Sequence, residues 1–296
     1  MDDKQSREQL EDPEYWDQAW QQAREDSRLD RHHESDELID FWNNKADYFR
    51  DNVLGEKGHR RVERDLSWLT ANGVNLAGSR VLDIGSGPGA FTIPFARQAE
   101  EVVALEPADK MVFFLQKELK REGIDNVQVI QSTWEDLVLE EADLDYIDAF
   151  DLVFASMSPG INNWQTVKKV LRCGSKYCYF SAFAGKRRNS ALVDLWPIVF
   201  DCELPSWPGD ILYLVNLLYT KGFDLSFEVW EEESEVKLPV NEAVDRLMNK
   251  FRDYGEEGDE IRVKVKNYVE ARADNGCFTQ WTTSRLGRIL VKNPQV

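Results

Sequence analysis

Histidine and cysteine are scarce in this chain, which has 3 histidines and 4 cysteines among its 296 residues. The cysteines, Cys173, Cys178, Cys202 and Cys277, lack the C-x-x-C spacing of zinc and redox sites. All three histidines precede residue 60. We therefore predict no metal site and expect buried free thiols in a reducing compartment.

Long apolar runs are also missing. No stretch approaches the roughly 20 apolar residues that a membrane helix requires, and residues 1–30 are polar throughout. The sequence predicts neither a membrane contact nor a signal peptide, so we expect the protein in the cytoplasm.

Basic residues are fewer than acidic residues. The chain has 36 lysines and arginines but 54 aspartates and glutamates, which gives a net charge of −18. Affinity for a phosphate backbone comes largely from clustered lysine and arginine. We therefore expect no nucleic-acid partner and a small-molecule substrate.

Residues 1–75 are typical of an N-terminal helical extension. Asp12 and Pro13 form an N-cap and first turn, Ser35 caps a second helix, and a third helix stops at Asn72-Gly73. Apolar residues at helical spacing line one face of each helix: Trp16, Trp20 and Ala23, then Ile39, Trp42, Ala46 and Phe49, then Val62, Leu66 and Leu69. We interpret the extension as a lid, and the helix at 13–23 as a lid or a homodimer arm.

Strands and helices alternate from Ser79 onward, which predicts a mostly parallel α/β sheet with helices on both faces. Seven strands are predicted, at 80–84, 101–105, 127–130, 150–155, 176–182, 223–230 and 287–292. Residues 76–230 and 286–296 would form the core. Residues 231–285 would be a helical insertion with two helices, the first from Pro239 and the second ending at Asn275-Gly276.

A glycine-rich turn follows the first strand, where residues 81–89 have the sequence VLDIGSGPG. Glycines at alternate positions let the backbone turn tightly and approach a ligand, so this turn predicts a nucleotide-like cofactor. The spacing Gly85-x-Gly87-x-x-Ala90 also satisfies the loose dinucleotide fingerprint. An NAD(P)-dependent oxidoreductase is therefore an alternative on the glycines alone.

Asp83 bears on the choice of cofactor, whereas Glu106 supports a ribose in dinucleotide and S-adenosylmethionine sites alike. At about 5 Å and a dielectric of about 20, Asp83 would repel each unit charge of a pyrophosphate by about 3 kcal/mol, whereas it would attract a cation. S-adenosylmethionine carries a sulfonium and an amino group in that place. Glu106 ends the second strand, where a carboxylate can accept hydrogen bonds from both ribose hydroxyls. Met111, one turn further, is expected to pack on adenine or in the core.

Five motifs in order between residues 80 and 185 resemble those of class I S-adenosylmethionine-dependent methyltransferases. The chain is most similar to the small-molecule enzymes of the ubiquinone and menaquinone C-methyltransferase group. The motifs are residues 81–89, 105–107 (LEP), 131–137 (QSTWEDL), 150–156 (FDLVFAS) and 170–176 (VLRCGSK). The resemblance implies a Rossmann-like sheet with a reversed last pair of strands, and S-adenosyl-L-methionine as the cofactor.

The resemblance also implies a set of cofactor-binding residues. Asp83 would face the methionine end, Glu106 the ribose, and Ser156 and Met157 the transferred methyl group. The remaining positions are the turn, Gly85, Ser86, Gly87 and Gly89, and the adenine neighbours, Pro107 and Met111.

The chain departs from the family pattern in two places. Thr133 stands where the family often has an aspartate that reaches the adenine amino group, so the backbone amides of Trp134 and Glu135 are expected to bind the ring edge instead. Residues 156–159 (SMSP) are not the Asn/Asp-Pro-Pro-Tyr/Phe motif. This difference disfavours adenine or glutamine nitrogen as the acceptor.

Methyl transfer from a sulfonium expels a neutral thioether, so alignment in a dry pocket is the main requirement. A base is needed only for a protonated acceptor. No histidine occurs late in the chain, where plant-type phenol O-methyltransferases have one, so the catalytic residues are unassigned, with Tyr48 and His59 as candidate bases.

Acceptor recognition is expected outside the shared sheet. The aromatic residues there are Trp42, Tyr48, Trp196, Trp207 and Trp281, which would enclose the acceptor or fill apolar cores. Arg187 and Arg188 would bind an anionic acceptor or form a solvated pair. A cofactor-binding sensor or accessory subunit without turnover is the third hypothesis.

Overall fold

The computed structural model describes residues 8–26, 35–139, 146–205 and 210–294. The N-terminal part contains helices α1 (Pro13–Glu25), α2 (Ser35–Val53) and α3 (Glu56–Ala71). Asp12 caps α1 by accepting a hydrogen bond from the Glu14 amide, 2.9 Å away. Helix α3 stops at Asn72 and the left-handed Gly73, as predicted. Helix α2 begins at Ser35, whose side chain lies outside the described part.

A seven-stranded sheet forms the centre of the molecule. In chain order its strands are β1 (Arg80–Ile84), β2 (Glu101–Leu105), β3 (Val127–Ile130), β4 (Phe150–Ser156), β5 (Gly174–Asn189), β6 (Asp224–Pro239) and β7 (Cys277–Lys292). Their order in the sheet is β3-β2-β1-β4-β5-β7-β6, and β7 runs antiparallel to both β5 and β6. This is the predicted Rossmann-like α/β sheet. Its strand order reverses between β1 and β4, which places a ligand crevice at their carboxyl ends.

Helices cover both faces of this sheet. The remaining helices are α4 (Thr92–Ala96), α5 (Asp109–Glu122), α6 (Trp164–Cys173), α7 (Ser190–Phe200), α8 (Ile211–Thr220), α9 (Val240–Asp253) and α10 (Asp259–Arg272). Neighbouring residues of β1 point to opposite faces. Leu82 packs in one apolar cluster with Trp20 and Leu217, while Val81 packs in another with Leu69 and Phe95. None of the described helices is long and apolar enough to cross a membrane.

The last three strands are longer than predicted. We expected 176–182, 223–230 and 287–292, whereas the three strands have 16 residues each. The extension of β6 pairs with β7 from Glu231–Arg285 to Pro239–Cys277 and alternates exposed with half-buried positions. Its sequence, EEESEVKLP, lacks the apolar alternation by which strands are recognised. The interval 231–285 is thus helical only between the two strands.

The insertion has an apolar core of its own with α7. Trp196 of α7 packs with Leu247 and Phe251 of α9 and Val269 of α10. Helix α10 ends at Arg272, earlier than predicted, because Asn275 and Gly276 adopt positive φ angles in the turn that leads into β7. These three helices therefore pack around one cluster at the end of the β6–β7 ribbon.

The cysteines are free, and only part of the prediction for them is correct. Cys173 and Cys178 are buried, whereas Cys277 is half-buried and Cys202 is exposed. Cys202 follows the end of α7 in a segment without regular structure and is exposed.

A buried ion cluster holds α3 against the sheet. Arg288 of β7, only 3% exposed, lies 2.7 Å from Asp65 of α3 and 2.6 Å from Glu228 of β6. Its guanidinium lies 4.5 Å from the ring centre of Trp68. Burial raises the pKa of Asp65, and the neighbouring arginines oppose that shift. The charged residues of this cluster therefore stabilise the fold only together, because loss of one would leave another buried charge without its partner.

Replacing Arg288 by methionine is expected to lower the free energy of unfolding by about 3 kcal/mol, because the Asp65 carboxylate would lose a buried partner. The measurement is urea denaturation followed by circular dichroism. Arg285→Met, at an exposed position of the same strand, is the matched control and should change stability by less than about 0.5 kcal/mol. Equal losses in the two variants would contradict the role given to the cluster.

Candidate functional site

The glycine turn is fixed to β2 by backbone hydrogen bonds. The amides of Gly85 and Ser86 both donate to the carbonyl oxygen of Leu105, at 2.9 and 3.0 Å. Gly85, Gly87 and Gly89 all have positive φ angles, which side chains rarely adopt. The turn after β1 is therefore anchored at the carboxyl edge of the sheet, as the sequence predicts.

The three glycines differ in the space around them. A Cβ atom at Gly85 would lie 2.9 Å from the Ser158 hydroxyl, and one at Gly89 would lie 2.6 Å from Leu115. A Cβ atom at Gly87 would have no atom within 4 Å. Gly85 and Gly89 thus allow close packing, whereas Gly87 borders open space in which a ligand can approach the backbone.

Ser86 supplies a polar group that the described residues leave unsatisfied. Its hydroxyl oxygen is buried and has no hydrogen-bond partner among them. An unpaired buried hydroxyl costs free energy, and a ligand beside Gly87 would remove that cost by pairing with it.

Asp83 is buried at the end of β1 and is 3% exposed. Its Oδ2 accepts a hydrogen bond from the hydroxyl of Thr92, 2.6 Å away in the first turn of α4. Burial raises the pKa of Asp83 to about 7, the hydrogen bond from Thr92 opposes the rise, and the charge of Glu106 adds to it. Since the folded protein holds this proton more tightly than the unfolded chain, Asp83 lowers stability as pH rises from 3.8 to about 7.

Glu106 joins the two loops that border the crevice. Its Oε2 accepts from the Gly87 amide at 2.9 Å, and its Oε1 accepts from the Ala108 amide at 3.0 Å. Burial raises the pKa of this carboxyl group, and the two amides oppose that shift. Each carboxylate oxygen has a second acceptor site, so Glu106 can also bind two hydroxyls.

The residues predicted beside the adenine lie at the start of α5. Pro107 is half-buried next to Glu106. Met111 is 2% exposed and packs with Ala46 of α2 and with Phe114. Helix α2 thus covers this side of the crevice, and Met111 fills an apolar core there.

The side chains of the segment after β3 bond within the protein, and the contact of the Trp134 and Glu135 backbone amides with adenine stays a prediction. The Thr133 hydroxyl donates to Asp136 at 2.5 Å and accepts from the Asp136 amide, so it closes a turn. Trp134 is buried, and its indole nitrogen donates to the Thr166 carbonyl at 3.0 Å. Its side chain therefore belongs to the core, which leaves only its backbone amide for a ligand. Glu135 accepts a hydrogen bond from Asn162 at 3.0 Å.

Ser156, the last residue of β4, has a partner that the sequence did not indicate. Its hydroxyl accepts from Arg61 of α3 at 2.7 Å and lies 2.9 Å from the Ser181 hydroxyl of β5. Met157 follows with a φ of 54°, a left-handed conformation that is rare for methionine. The cation of Arg61 therefore reaches the carboxyl edge of the sheet. The only indication of this role of Arg61 in the sequence is its i to i+4 spacing from Asp65 on one helix.

The structure does not bring the two candidate bases to this site. Tyr48 is 57% exposed, and its hydroxyl accepts from Arg246 of α9 at 3.1 Å. His59 is exposed on α3. Among the described residues, neither side chain hydrogen-bonds to Ser156 or to the glycine turn.

Not all of the aromatic residues that were predicted to enclose the acceptor are available for that role. Trp196 is fully buried and stacks on Phe200 with 4.1 Å between ring centres, so it belongs to the core of the insertion. Trp42 packs beside Met111, and Trp281 is 52% exposed. Trp207 lies outside the described residues.

Comparison with known proteins identifies the region around this crevice. Residues 81–174 match a family described as a methyltransferase domain. A ribosomal RNA small subunit methyltransferase A from Desulforapulum autotrophicum is 49% identical over 53 residues, which are 18% of this chain and 19% of that protein. An uncharacterized protein from Haemophilus influenzae is 27% identical over 199 residues, which are 65% of this chain and 67% of that protein.

Solved structures confirm the fold. A putative methyltransferase from Bacillus halodurans superposes with a TM-score of 0.51 at 14% identity, covering 78% of this chain and all of that one. The match to the ribosomal RNA enzyme spans about a fifth of that enzyme's length.

Replacing Thr92 by valine is expected to raise the pKa of Asp83 by about one unit, because the hydrogen bond that stabilises its charged form is lost. Carbon-13 carboxyl NMR titration measures the change. Thr133→Val removes a hydroxyl that bonds to Asp136 instead and should leave the pKa of Asp83 unchanged. Titration of Asp83 at the same pH in both variants would refute the assigned contact.

Proposed function

We propose that this chain, which contains a methyltransferase domain of the class I S-adenosylmethionine-dependent type, transfers a methyl group from S-adenosylmethionine to a small-molecule acceptor. The observation that carries the proposal is the open space at Gly87, whose amide donates to the Glu106 carboxylate and which follows the unpaired hydroxyl of Ser86 and the buried Asp83 in the chain. Donor and acceptor groups there fit an adenosyl ligand with a cationic end.

Charge separates this proposal from dinucleotide binding. Asp83 is buried beside the turn, and in its ionised form it raises the cost of placing a negative group there. A pyrophosphate would add two such groups, whereas a sulfonium and an ammonium would be attracted. The NAD(P)-dependent alternative is therefore disfavoured by the Asp83 carboxylate, whereas Glu106 fits the ribose of either cofactor.

Each residue around the turn has an assigned task in the proposal. Glu106 would bind the ribose hydroxyls, Ser86 and Gly87 would contact the cofactor through hydroxyl and backbone, and Asp83 would face its cationic end. Arg61, held at Ser156, would bind a carboxylate of the cofactor. When bound, S-adenosylmethionine supplies a methyl group on sulfur that leaves as a neutral thioether. The protein's part is to align the acceptor and exclude water.

The acceptor would bind among the N-terminal extension 1–75, the insertion 231–285 and the carboxyl ends of β4 and β5. A net charge of −18 favours a small molecule over RNA, although one matched relative is a ribosomal RNA methyltransferase by name. A homodimer and a cytoplasmic location stay predictions from the sequence. A cofactor-binding sensor would differ from the proposed enzyme only in that it does not transfer the methyl group.

The preference for S-adenosylmethionine over S-adenosylhomocysteine is expected to increase several-fold between about pH 6 and about pH 8, because Asp83 ionises over this range and attracts the sulfonium. S-adenosylmethionine and S-adenosylhomocysteine carry the same amino group, so the effect of its titration cancels in the ratio of their affinities. Calorimetry at several pH values measures both affinities. Asp83→Asn should give a ratio that does not change with pH, and a constant ratio in the unchanged protein would contradict the placement of Asp83.

Methyl transfer itself is tested by incubating the purified protein with methyl-labelled S-adenosylmethionine and a small-molecule cell extract. We expect a labelled product, and we expect Glu106→Gln to weaken S-adenosylhomocysteine binding about 10- to 100-fold through lost hydrogen bonds. Asp109→Ala, an exposed carboxylate at the start of α5, is the matched control. Cofactor binding without any labelled product would favour the sensor, and full binding by Glu106→Gln would show that the site is misplaced.

A further inference from the structure

Lys169 of α6 binds the turn that follows β3. Its ammonium group donates to the carbonyl oxygen of Trp134 and, at 3.3 Å, to that of Glu135. The same cation lies 4.6 Å from the ring centre of Trp134. One turn earlier in α6, the Thr166 carbonyl accepts the indole N–H of Trp134 at 3.0 Å. Helix α6 therefore holds both the side chain and the backbone of this turn.

These contacts fix the direction of one backbone amide. The carbonyl of Trp134 and the amide of Glu135 belong to one planar trans peptide group, so they point in opposite directions. Because the carbonyl is turned to Lys169, the Glu135 N–H points away from that side chain. The next amide, of Asp136, donates to the Thr133 hydroxyl at 3.1 Å, whereas the Glu135 amide has no hydrogen-bond partner within the described part of the chain. The Glu135 amide is therefore a donor that a ligand can use.

The turn lies beside the residues assigned to the cofactor. On one side, the Glu106 amide donates to the carbonyl of the last residue of β3 at 3.1 Å. On the other side, a Cβ atom at Gly160 would lie 3.1 Å from the Cβ of Trp134. Ser158 belongs to the same loop as Gly160, and its hydroxyl would lie 2.9 Å from a Cβ atom at Gly85. The turn is therefore placed between Glu106 and the loop that covers the glycine turn.

Lys169 is a costly choice for a contact that only supports the fold. No carboxylate among the described residues forms an ion pair with it, and its side chain is partly buried. Burial lowers the pKa of Lys169, while Cys173 and the carboxylates of Glu135 and Asp136 oppose that shift. A neutral donor would satisfy a carbonyl without burying a charge. A cation, in contrast, polarises the peptide group and makes its N–H a stronger donor on the far side.

We propose that Lys169 is a positioning residue for the adenine base: by holding the Trp134 carbonyl, it directs the Glu135 amide to N1, the unprotonated ring nitrogen beside the amino group. This role rests on the proposed function, because the base belongs to S-adenosylmethionine. Thr133, which stands where the family resemblance implies an aspartate, turns its hydroxyl to Asp136. Recognition of the base edge therefore falls to the backbone that Lys169 holds.

The first experiment compares two ligands that differ only at this edge of the base. In S-inosylhomocysteine, the deaminated analogue of S-adenosylhomocysteine, a carbonyl oxygen replaces the amino group, and N1 carries a proton and cannot accept a hydrogen bond. We expect the unchanged full-length protein to bind S-adenosylhomocysteine at least about ten-fold more tightly than the analogue. Calorimetric titration measures both affinities.

Variants at Lys169 test its part in this preference. Lys169→Met removes the donors and should weaken S-adenosylhomocysteine binding about ten-fold, while binding of the analogue changes by less than about two-fold. Lys169→Arg can still donate to two carbonyls and should retain the preference. Lys168→Met, at the adjacent exposed position of α6, is the matched control and should bind both ligands as the unchanged protein does.

Hydrogen exchange of the Glu135 amide gives a second measurement that needs no variant. S-adenosylhomocysteine at saturation should slow the exchange of this amide about ten-fold, and S-inosylhomocysteine at saturation should not. Mass spectrometry with residue-level fragmentation follows the exchange. Equal exchange of the Glu135 amide with and without bound S-adenosylhomocysteine would overturn the role of Lys169, whether or not the variants fold.

A merely structural role of Lys169 would weaken both ligands equally. A folded Lys169→Met variant that keeps the preference for adenine would therefore overturn the positioning role and leave the proposed function intact. Thermal melts establish that each variant is folded. Absence of S-adenosylhomocysteine binding in the unchanged protein would overturn the proposed function, and the role of Lys169 with it.

Discussion

The buried carboxylate of Glu106 is the contact on which the crevice depends. It pairs with one amide of the glycine turn and one amide of the loop before α5, at 2.9 and 3.0 Å. Without it, two neighbouring loops at the ends of β1 and β2 would have unpaired amides facing each other. Because a carboxylate accepts more than two hydrogen bonds, the residue that shapes the loops also remains open to a ligand.

The outer helices form the rest of the site around the contacts of Glu106. Helix α3 brings Arg61 to Ser156, and the buried pair of Asp65 and Arg288 holds the same helix on the sheet. Helix α2 covers Met111 and meets α9 through Lys45 and Tyr48. The crevice is therefore bounded by the sheet on one side and by helices α2 and α3 on the other.

The sequence predicted the first four strands and the glycine turn because apolar runs and glycine spacing are local signals. It underestimated β6 and β7, whose polar extensions are stabilised by pairing with each other, a non-local effect. It left Trp196 open between an acceptor enclosure and an apolar core, and the structure places this residue in the core. Arg61 was missed because its partner Ser156 lies 95 residues away in the chain, and no pattern in α3 distinguishes it from a solvated arginine.

The central claim is that the crevice at Gly87 accepts a cationic adenosyl ligand and rejects a pyrophosphate. Calorimetric titration of the full-length protein with S-adenosylhomocysteine and with NAD, under the same conditions, tests it most directly. We predict saturable binding of S-adenosylhomocysteine at one site and no measurable binding of NAD. Tight binding of NAD without binding of S-adenosylhomocysteine would contradict the account.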